Sequence, residues 1–368
     1  MALITGVTGQ DGSYLAEFLL SKGYRVWGLQ RRSSSFNTGR IDALLTSFPR
    51  SRFDMWHADL TDQPSLLQVL RKTRPNELYN LGAQTHVKVS FEIPTYTFDV
   101  DATGTLSLLE AVRALDLKCK IYQASSSEMF GSSPPPQNES TPFRPRSPYA
   151  VAKVAAYLLC QNYREAYGLW ITNGILFNHE SPRRGETFVT RKISRAVARI
   201  ALGVQEQLVL GNVDARRDWG YAPEYVEMMW RMLQEEEPDD FVLATGESHS
   251  VKEFVNLAFE QVGISLKWTG QHQEKRAQIQ RMEKSHLAPY VKVRPGDTVV
   301  TTSKDYFRPT EAENLMGDSN KAQARLGWRP RTKFDDLVRL MVEADVKSVS
   351  MVLEGTRKHK EEWREFVT

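Results

Sequence analysis

The chain opens with ALITGVTGQDG (residues 2–12), in which a short apolar run passes directly into three glycines spaced GxxGxxG. Apolar residues at helical spacing follow over residues 14–19, and Gly23 supplies a stop. Glycines at such a strand–helix junction let the backbone turn sharply and let a pyrophosphate approach main-chain N–H groups. This context favours a dinucleotide site over a glycine-rich structural turn. The residues predicted to surround the pyrophosphate are Gly6, Thr8, Gly9, Gln10, Asp11 and Gly12.

Short apolar runs alternate with helical patterns through the first half of the chain. Such repeated βα units imply a doubly wound, Rossmann-like α/β fold, in which a parallel sheet carries helices on both faces. Ligands of such sheets bind beyond the carboxyl ends of the strands. Strands are predicted at Ala2–Thr5, Arg25–Leu29, Phe53–Ala58, Glu77–Leu81, Lys120–Ala124 and Ile171–Phe177. Helices are predicted at Gln63–Thr73, Val100–Leu115 and Tyr149–Tyr167.

The alternation becomes less regular after about Pro182, where helical patterns are separated by charged loops. We predict that residues 1–180 form the dinucleotide-binding domain, with some later segments packing back on its sheet. Residues 181–368 are predicted to form mainly a smaller C-terminal α/β domain that binds the substrate. The helices predicted in this half are Thr190–Leu202, Glu224–Gln234 and Val251–Val262.

The composition excludes several classes of protein. Formal net charge is only +3, from 48 basic and 45 acidic residues, and no basic block points to nucleic acid. Cys119 and Cys160 lie far apart without CxxC or Cys/His spacing, so we expect two buried thiols and no disulfide or metal. No signal segment and no apolar run of about eighteen residues is evident, so we expect a cytoplasmic protein with no membrane contact.

The second predicted strand ends in QRRSS (residues 30–34). NAD-binding sheets carry an acidic residue there for the ribose 2′-hydroxyl, whereas two guanidiniums and two hydroxyls suit a 2′-phosphate. This pattern favours NADP over NAD as the cofactor; the alternative is that the two arginines merely solvate a loop. A pair of residues at the end of the third strand is expected near the adenine. The residues predicted around the adenosine are Arg31, Arg32, Ser33, Ser34, Asp59 and Leu60.

The segment YAVAK (residues 149–153) places a phenol and an ammonium on one helix face, at Tyr149 and Lys153. A free tyrosine ionises near pH 10, and a neighbouring ammonium favours the phenolate, which makes the phenol a usable base. The alternative is an ordinary amphipathic helix. The pairing of this segment with the glycine loop favours a catalytic role.

The fifth predicted strand ends in ASSSE (residues 124–128). Ser126 is placed to hydrogen-bond a hydroxyl that is being oxidised, together with Tyr149. Glu128 carries more information, because a carboxylate beside a nicotinamide can remove a proton α to a carbonyl, which simple oxidation does not require. The alternative for Glu128 is a solvated or capping glutamate.

These residues together resemble the extended short-chain dehydrogenase/reductase family, over almost the whole chain. The resemblance is closest to its nucleotide-sugar 4,6-dehydratases, and in particular to the branch that acts on GDP-mannose. The run NHESPRRG (residues 178–185) is highly specific, and related epimerases lack a glutamate at the position of Glu128. The segments that carry the resemblance are Ile4–Tyr14, Arg31–Arg40, Tyr79–Ser90, Ser147–Lys153, Asn173–Ile193, Arg217–Gly220 and Tyr306–Glu311.

The resemblance implies a self-contained redox cycle on the sugar. Tyr149 takes the 4-hydroxyl proton while a hydride passes from C4 to NADP⁺, and Glu128 then removes the acidified C5 proton. Water leaves from C6, the hydride returns there, and the product is GDP-4-keto-6-deoxymannose. The family is typically tetrameric, although a homodimer stays open. The loop at residues 31–40 resembles one that reaches a neighbouring subunit.

The resemblance also implies further binding residues. Those expected to contact NADP are Leu81, Gly82, Ala83, Gln84, Thr85, Tyr96, Tyr149, Lys153, His179 and Arg184. Those expected to contact GDP-mannose are Ser90, Asn178, Val189, Lys192, Arg217, Arg308 and Glu311.

Some positions depart from the family pattern. Ser126 replaces the usual threonine but keeps its hydroxyl. Ser127 stands where thymidine-linked glucose dehydratases carry an aspartate, so the group that protonates the leaving O6 stays open between Glu128 and a water. Tyr221 replaces a histidine, which keeps a dehydratase of another nucleotide hexose as an alternative. A catalytically silent NADP-binding regulator is a second alternative, disfavoured because such a protein needs no base at C5.

Overall fold

The computed structural model describes residues 1–34, 37–283 and 290–367, with side chains up to residue 355. Elements are numbered in chain order. The strands are β1 (Ala2–Thr5), β2 (Val26–Gln30), β3 (Phe53–His57), β4 (Glu77–Asn80), β5 (Lys120–Ser126), β6 (Ile171–Leu176), β7 (Asn178–Glu180), β8 (Leu208–Leu210), β9 (Arg216–Arg217), β10 (Trp219–Tyr221), β11 (Phe241–Leu243), β12 (His249–Ser250), β13 (Ile264–Thr269), β14 (Arg276–Met282) and β15 (Thr298–Thr302).

The α-helices are α1 (Gln10–Ser21), α2 (Asp42–Ser47), α3 (Gln63–Thr73), α4 (Val87–Glu92), α5 (Pro94–Phe98), α6 (Gly104–Ala114), α7 (Pro148–Tyr167), α8 (Val189–Ala201), α9 (Ala222–Met232), α10 (Val251–Glu260), α11 (Asn320–Leu326) and α12 (Phe334–Val367). A π-helical turn, Asp99–Thr103, leads into α6, and a 3₁₀ turn, Ser127–Met129, follows β5.

The chain forms two compact units. The first contains residues 1–179, 216–248 and 309–331, and the second contains residues 180–215, 249–308 and the chain from Thr332 onward. The first unit is thus assembled from three separate segments. Its later segments contribute β11, α9 and α11.

The first unit is built on a seven-stranded sheet in the order β11-β6-β5-β4-β1-β2-β3. Every neighbouring pair is parallel, with Ala2 of β1 opposite both Val26 of β2 and Glu77 of β4. The chain first adds β2 and β3 on one side of β1 and then adds β4, β5, β6 and β11 on the other side. The predicted doubly wound, Rossmann-like fold is confirmed. Because the strand order reverses beside β1, its carboxyl end lies at the switch point where such sheets bind ligands.

Apolar residues cover both faces of this sheet, as alternation along a strand requires. Ile4 belongs to one buried cluster and Leu3 to the other. The cluster around Ile4 is closed by residues of α1, α9 and α11, including Leu15, Leu19, Tyr225, Met229 and Leu326. The cluster around Leu3 is closed by residues of α3, α6 and α7, including Leu66, Leu70, Leu108, Val112 and Cys160.

The sequence patterns locate most of these elements. The six predicted strands are present, each end agreeing to within two residues, and α3 has the predicted bounds. The patterns do not predict β11, because three residues are too short for a period to show. Cys119 and Cys160 are buried and unpaired, as expected, and burial raises the pKa of the Cys119 thiol to about 12.

The second unit contains a four-stranded sheet in the order β13-β14-β15-β8. β13, β14 and β15 are antiparallel, while β15 and β8 are parallel. Helices α8, α10 and α12 pack together. The buried carboxylate of Asp345 on α12 accepts a hydrogen bond from Ser194 Oγ (2.6 Å) and pairs with Arg191 (2.8 Å), which ties α12 to α8. Across the described residues, none of the helices has the length and apolar character that crossing a membrane requires.

Candidate active site

The turn from β1 into α1 is packed so closely that Gly6 and Gly12 leave no room for a side chain. Gly6 has a φ of +67°, in the left-handed region, and a Cβ there would lie 2.9 Å from Gly82 N. A Cβ on Gly12 would lie 2.4 Å from Gly6 O. Gly9 is the N-cap of α1 and has extended backbone. The loop therefore presents the N-terminus of α1 at the carboxyl edge of the sheet, which is the cradle that a pyrophosphate needs.

The end of β4 is fixed against the end of β1 by one hydroxyl. Thr5 Oγ1 donates to Asn80 Oδ1 (2.8 Å) and accepts from Leu81 N (2.9 Å) and Gly82 N (2.8 Å). Gln84 N donates to Asp101 Oδ1 over 2.7 Å. The predicted cofactor segment at residues 81–85 thus begins at the edge that also carries the glycine loop.

The residues predicted around the adenosine follow the neighbouring strands. Arg31, Arg32 and the two serines after them come directly after β2 and are exposed. Asp59 follows β3, and its Oδ1 accepts from Thr61 N (3.0 Å) and Thr61 Oγ1 (2.8 Å). Ser35 and Phe36, in the loop expected to reach a neighbouring subunit, lie outside the described residues.

His179 is joined to the glycine-loop helix. Its Nε2 lies 2.8 Å from Asp11 Oδ2, its Nδ1 lies 2.8 Å from Phe177 O, and its ring stacks on Tyr225. Gln10 Nε2 donates to the His179 carbonyl oxygen over 3.0 Å. The structure therefore brings three of the predicted cofactor residues, Gln10, Asp11 and His179, into one hydrogen-bonded group.

The residues at the N-terminus of helix α7 determine where the helix begins. Ser147 is the N-cap, with its Oγ accepting from Ala150 N (3.1 Å), and Pro148 occupies the first turn. These two residues set Tyr149 in the first turn of the helix and Lys153 one turn later. Both side chains are buried.

Lys153 joins this helix to the end of β5. Its Nζ donates to the Ala124 carbonyl oxygen over 3.0 Å and lies 5.8 Å from the centroid of the Tyr149 ring. Two residues further along β5, Ser126 Oγ accepts from Glu128 N over 3.2 Å, so Ser126 caps the turn that carries Glu128. Helix α7 packs against β5 and against that turn. The phenol, the ammonium, the hydroxyl and the carboxylate therefore lie at one strand end.

Asp101 is a buried group of this site that the sequence analysis did not identify. It lies in the π-helical turn before α6 and is 1% exposed. Burial raises its pKa to about 6, although the Lys153 ammonium and the Gln84 N–H act in the opposite direction. Burial also lowers the pKa of Lys153, which Asp101 partly offsets. Asp101 lies at helical spacing from the apolar residues Leu108 and Val112, and this position was the available signal.

Glu128 faces an arginine from a distant part of the chain. Arg217 Nη2 lies 3.6 Å from Glu128 Oε1 and 2.6 Å from Glu311 Oε1. Arg217 Nη1 donates to Ala312 O (2.7 Å) and to Arg216 O (2.9 Å). Arg217 and Glu311, both predicted to contact substrate, thus contact each other.

The next residue, Asp218, is a structural anchor that the sequence analysis did not single out. Its carboxylate accepts from Thr245 N (2.8 Å), Thr245 Oγ1 (2.7 Å) and Gly246 N (2.9 Å). Burial raises the pKa of Asp218, and these hydrogen bonds lower it. The RDWG segment (residues 217–220) therefore combines a site residue with a residue that holds the loop.

Other predicted residues of the first unit occupy distinct environments. Ser90 on α4 is buried, and its Oγ donates to Val87 O over 2.6 Å. Tyr96 on α5 is exposed, and Asn178 begins β7. In the described part of the chain, no group of three or more His, Cys, Asp or Glu residues is placed to hold a metal ion.

Four predicted residues belong to the second unit. Arg184 Nε lies 3.1 Å from Glu180 Oε2, and its guanidinium lies over the Phe188 ring. Lys192 Nζ lies 3.6 Å from the centroid of the Tyr306 ring, two residues before Arg308. Val189 begins α8.

Solved structures with the same fold indicate the class of protein to which the chain belongs. UDP-glucose 4-epimerase from Thermus thermophilus is 25% identical, with a TM-score of 0.73 over 94% of this chain and 98% of that one. dTDP-glucose 4,6-dehydratase from Bacillus anthracis, at 18% identity and a TM-score of 0.73, covers 94% and 96% and shows the same fold. The protein is an extended short-chain dehydrogenase/reductase.

Sequence relatives narrow the class. A family model described as GDP-mannose 4,6 dehydratase matches residues 3–341. GDP-mannose 4,6 dehydratase from Homo sapiens is 53% identical over 94% of this chain and 91% of its own. GDP-mannose 4,6 dehydratase 1 from Arabidopsis thaliana is 54% identical over 94% and 90%. The chain belongs to the GDP-mannose 4,6-dehydratase family, which confirms the resemblance that the sequence carries.

Proposed function

We propose that the protein is an NADP-dependent lyase that removes water from GDP-mannose and yields GDP-4-keto-6-deoxymannose. Family membership supports the reaction, and one contact carries the proposal. The bond between Lys153 and Ala124 holds helix α7 against the end of β5, where Ser126 and Glu128 lie. An acid–base pair for alcohol oxidation and a further carboxylate for proton removal thus share one strand end.

The nicotinamide cofactor suits this edge of the sheet. Gly6 and Gly12 let the main chain turn closely from β1 into α1, and main-chain N–H groups at the N-terminus of that helix suit a pyrophosphate. We propose NADP over NAD because Arg31 and Arg32 follow β2 and residues 30–34 contain no carboxylate that would repel a 2′-phosphate. When bound, the cofactor would supply the acceptor for the hydride from C4 of the sugar and the donor of the hydride that C6 receives.

The side chains supply the proton transfers. Tyr149 accepts the 4-hydroxyl proton, and the Lys153 ammonium stabilises the phenolate that accepts it. Ser126 donates a hydrogen bond to the same oxygen. The resulting 4-ketone acidifies the C5–H bond, and Glu128 takes that proton as the C6–O bond breaks. The C6 hydroxyl takes a proton from Glu128 or from a water and leaves as water. C5 takes up a proton as C6 receives the hydride, so the sugar loses one water with no net change in electrons.

Substrate contacts and assembly extend the proposal. Ser90, Asn178, Val189, Lys192, Arg308 and Glu311 are the proposed GDP-mannose contacts, and guanidinium forks suit its diphosphate. Arg217 belongs to the same proposed set. A cytoplasmic homotetramer, or a homodimer, is the proposed assembly, on the family resemblance alone.

Mass spectrometry of the nucleotide sugar tests the proposed reaction. Purified protein with NADP and GDP-mannose is expected to convert the substrate into a species lighter by one water. UDP-glucose and dTDP-glucose, offered in parallel, are expected to stay unchanged. Loss of water from either of these, with GDP-mannose left intact, would move the protein to another nucleotide hexose. No conversion of any of the three would remove the enzymatic proposal.

A further inference from the structure

The imidazole ring of His179 lies between two oxygen atoms, and each of its nitrogens faces one of them. Nδ1 lies 2.8 Å from the Phe177 carbonyl oxygen, and Nε2 lies 2.8 Å from Asp11 Oδ2. A carbonyl oxygen only accepts hydrogen bonds, so Nδ1 carries a proton. The charge of the ring then depends on whether the proton between Nε2 and Asp11 belongs to the ring or to the carboxyl group.

The neighbouring amide of Gln10 shows that Asp11 is an acceptor. Gln10 Nε2 lies 3.0 Å from the His179 carbonyl oxygen, which requires a donor and therefore sets the orientation of the amide. The same Nε2 donates to Asp11 Oδ1 over 3.0 Å. A carboxyl group is a stronger acid than an imidazolium, so the proton at Nε2 lies on the ring. His179 is therefore an imidazolium joined to an Asp11 carboxylate by a charge-assisted hydrogen bond.

The surroundings of the ring favour this charged form. The side chains of His179 and Asp11 are 11% and 26% exposed, so water screens the pair only in part. One face of the ring stacks on Tyr225, with centroids 4.7 Å apart and planes inclined by 17°. The face of an aromatic ring attracts a cation. Because both nitrogens and one face have partners, a hydrogen bond from the ring to a cofactor would break a contact that the structure contains.

Asp11 lies where a negative charge opposes the proposed cofactor. It belongs to the first turn of α1, whose N-terminus is the proposed site of the pyrophosphate. Two negative groups at one helix terminus repel each other. We infer that His179 acts on the cofactor through Asp11, as a positioning residue whose imidazolium neutralises the carboxylate beside the pyrophosphate and ties α1 to the chain after β6. This inference rests on the proposed function, because it concerns the proposed cofactor.

A double-mutant cycle on NADP binding tests this role. His179→Gln removes the cation and leaves the Asp11 carboxylate uncompensated, so we expect the Kd for NADP to rise about tenfold or more. Adding Asp11→Asn to that variant removes the remaining charge, and we expect the double variant to regain most of the lost affinity. A direct ligand would give no such recovery. Isothermal titration measures each Kd, and thermal unfolding midpoints report that the variants are folded.

A shortened probe shows which part of the cofactor is affected. The probe 2′-phospho-ADP-ribose contains the pyrophosphate and lacks the nicotinamide ring. We expect His179→Gln to weaken this probe and NADP by the same factor, within about threefold. A loss of affinity confined to NADP would show that His179 contacts the nicotinamide, and it would overturn the inference.

His272→Gln is the matched control, because His272 is exposed and lies in the second unit, and its Kd for NADP is expected to equal that of the wild type. NMR of wild-type protein labelled with ¹⁵N at histidine tests the charge without any loss of binding. We expect both ring nitrogens of His179, assigned by their absence in His179→Gln, to be protonated at neutral pH.

Three results would overturn the inference. They are a His179 ring with one unprotonated nitrogen, an unchanged Kd for NADP in His179→Gln, and a double variant that binds NADP as weakly as His179→Gln. Each leaves the proposed reaction in place, because wild-type protein would still bind NADP and release water from GDP-mannose. Wild-type protein that binds no NADP would instead remove the proposed cofactor and this inference together.

Discussion

The ammonium of Lys153 donates a hydrogen bond to the carbonyl oxygen of Ala124, and this contact joins helix α7 to the last residues of strand β5. Lys153 is 4% exposed, so its charge is held inside the protein beside Asp101 and Tyr149. Burying an ammonium is costly unless carbonyls and carboxylates compensate it. The Ala124 carbonyl oxygen and the Asp101 carboxyl group compensate the Lys153 ammonium, which indicates that this charge has a role at the end of β5.

Replacing Lys153 by methionine tests that use. Methionine keeps much of the side-chain length but removes the charge, so the Tyr149 phenolate loses its cation. We expect the rate of nicotinamide reduction with GDP-mannose to fall about 10²–10⁴-fold. Lys118→Met is the control, because Lys118 is exposed and pairs with Asp116. Similar rates for the two variants would contradict the role assigned to Lys153.

Replacing Glu128 by glutamine separates the two halves of the reaction. The amide keeps the size of the side chain and cannot accept the C5 proton. We expect NADP binding and transient formation of reduced nicotinamide to persist, while release of water falls about 10²-fold or more. Stopped-flow absorbance follows the first step, and mass spectrometry of the sugar follows the second. Full dehydration by this variant is the outcome that refutes the assignment.

Replacing Arg31 and Arg32 together by alanine tests the cofactor choice. A 2′-phosphate would lose its charge-assisted hydrogen bonds, whereas the NAD ribose would lose little. We expect the Kd for NADP to rise about tenfold or more and the Kd for NAD to change much less. Isothermal titration of both dinucleotides measures the difference. Equal losses of affinity for NADP and NAD would show that the two arginines do not bind the 2′-phosphate.

Asp101 makes stability depend on pH. Burial raises its pKa from 3.8 to about 6, so the folded protein binds this proton more tightly than the unfolded chain. The associated stability is complete below the unfolded value and is lost as the pH rises through about 6. The full difference corresponds to about 3 kcal/mol.

Asp101→Asn removes that dependence, because asparagine is neutral throughout and its side-chain oxygen can still accept from Gln84 N. We expect the variant to gain stability relative to the wild type as the pH rises from about 4 to about 7, by about 2–3 kcal/mol. Thermal unfolding midpoints of both proteins across this range measure the trend. A constant difference between the two proteins would contradict the pKa assigned to Asp101.

Sequence patterns predicted much of the fold, for local reasons. Most of the predicted strands are mainly buried, as β1, β4 and β6 show, and α3 and α7 show a clear helical period. The site residues on these elements could be placed at one edge because the carboxyl ends of parallel strands meet there. The spacing of Tyr149 and Lys153 fixes their common face without any tertiary knowledge.

What the sequence could not show depends on contacts between distant segments. β11 has three residues, too few for a period, and it joins the sheet only because β6 offers a parallel edge. The contact between Arg217 and Glu128 joins parts of the chain that no local rule connects. Some later segments were expected to pack back on the sheet, but only tertiary contacts identify them as residues 216–248 and 309–331.

The most direct measurement follows one hydride through a turnover. GDP-mannose labelled with deuterium at C4 is incubated with the protein and NADP, and the position of the label in the product is read by NMR. The deuterium is expected at C6 of the dehydrated sugar, with C5 carrying a proton from solvent after Glu128 acts. A dehydrated product whose deuterium is lost from the sugar, or retained at C4, would contradict a reaction in which one edge of the sheet oxidises, dehydrates and reduces the same molecule.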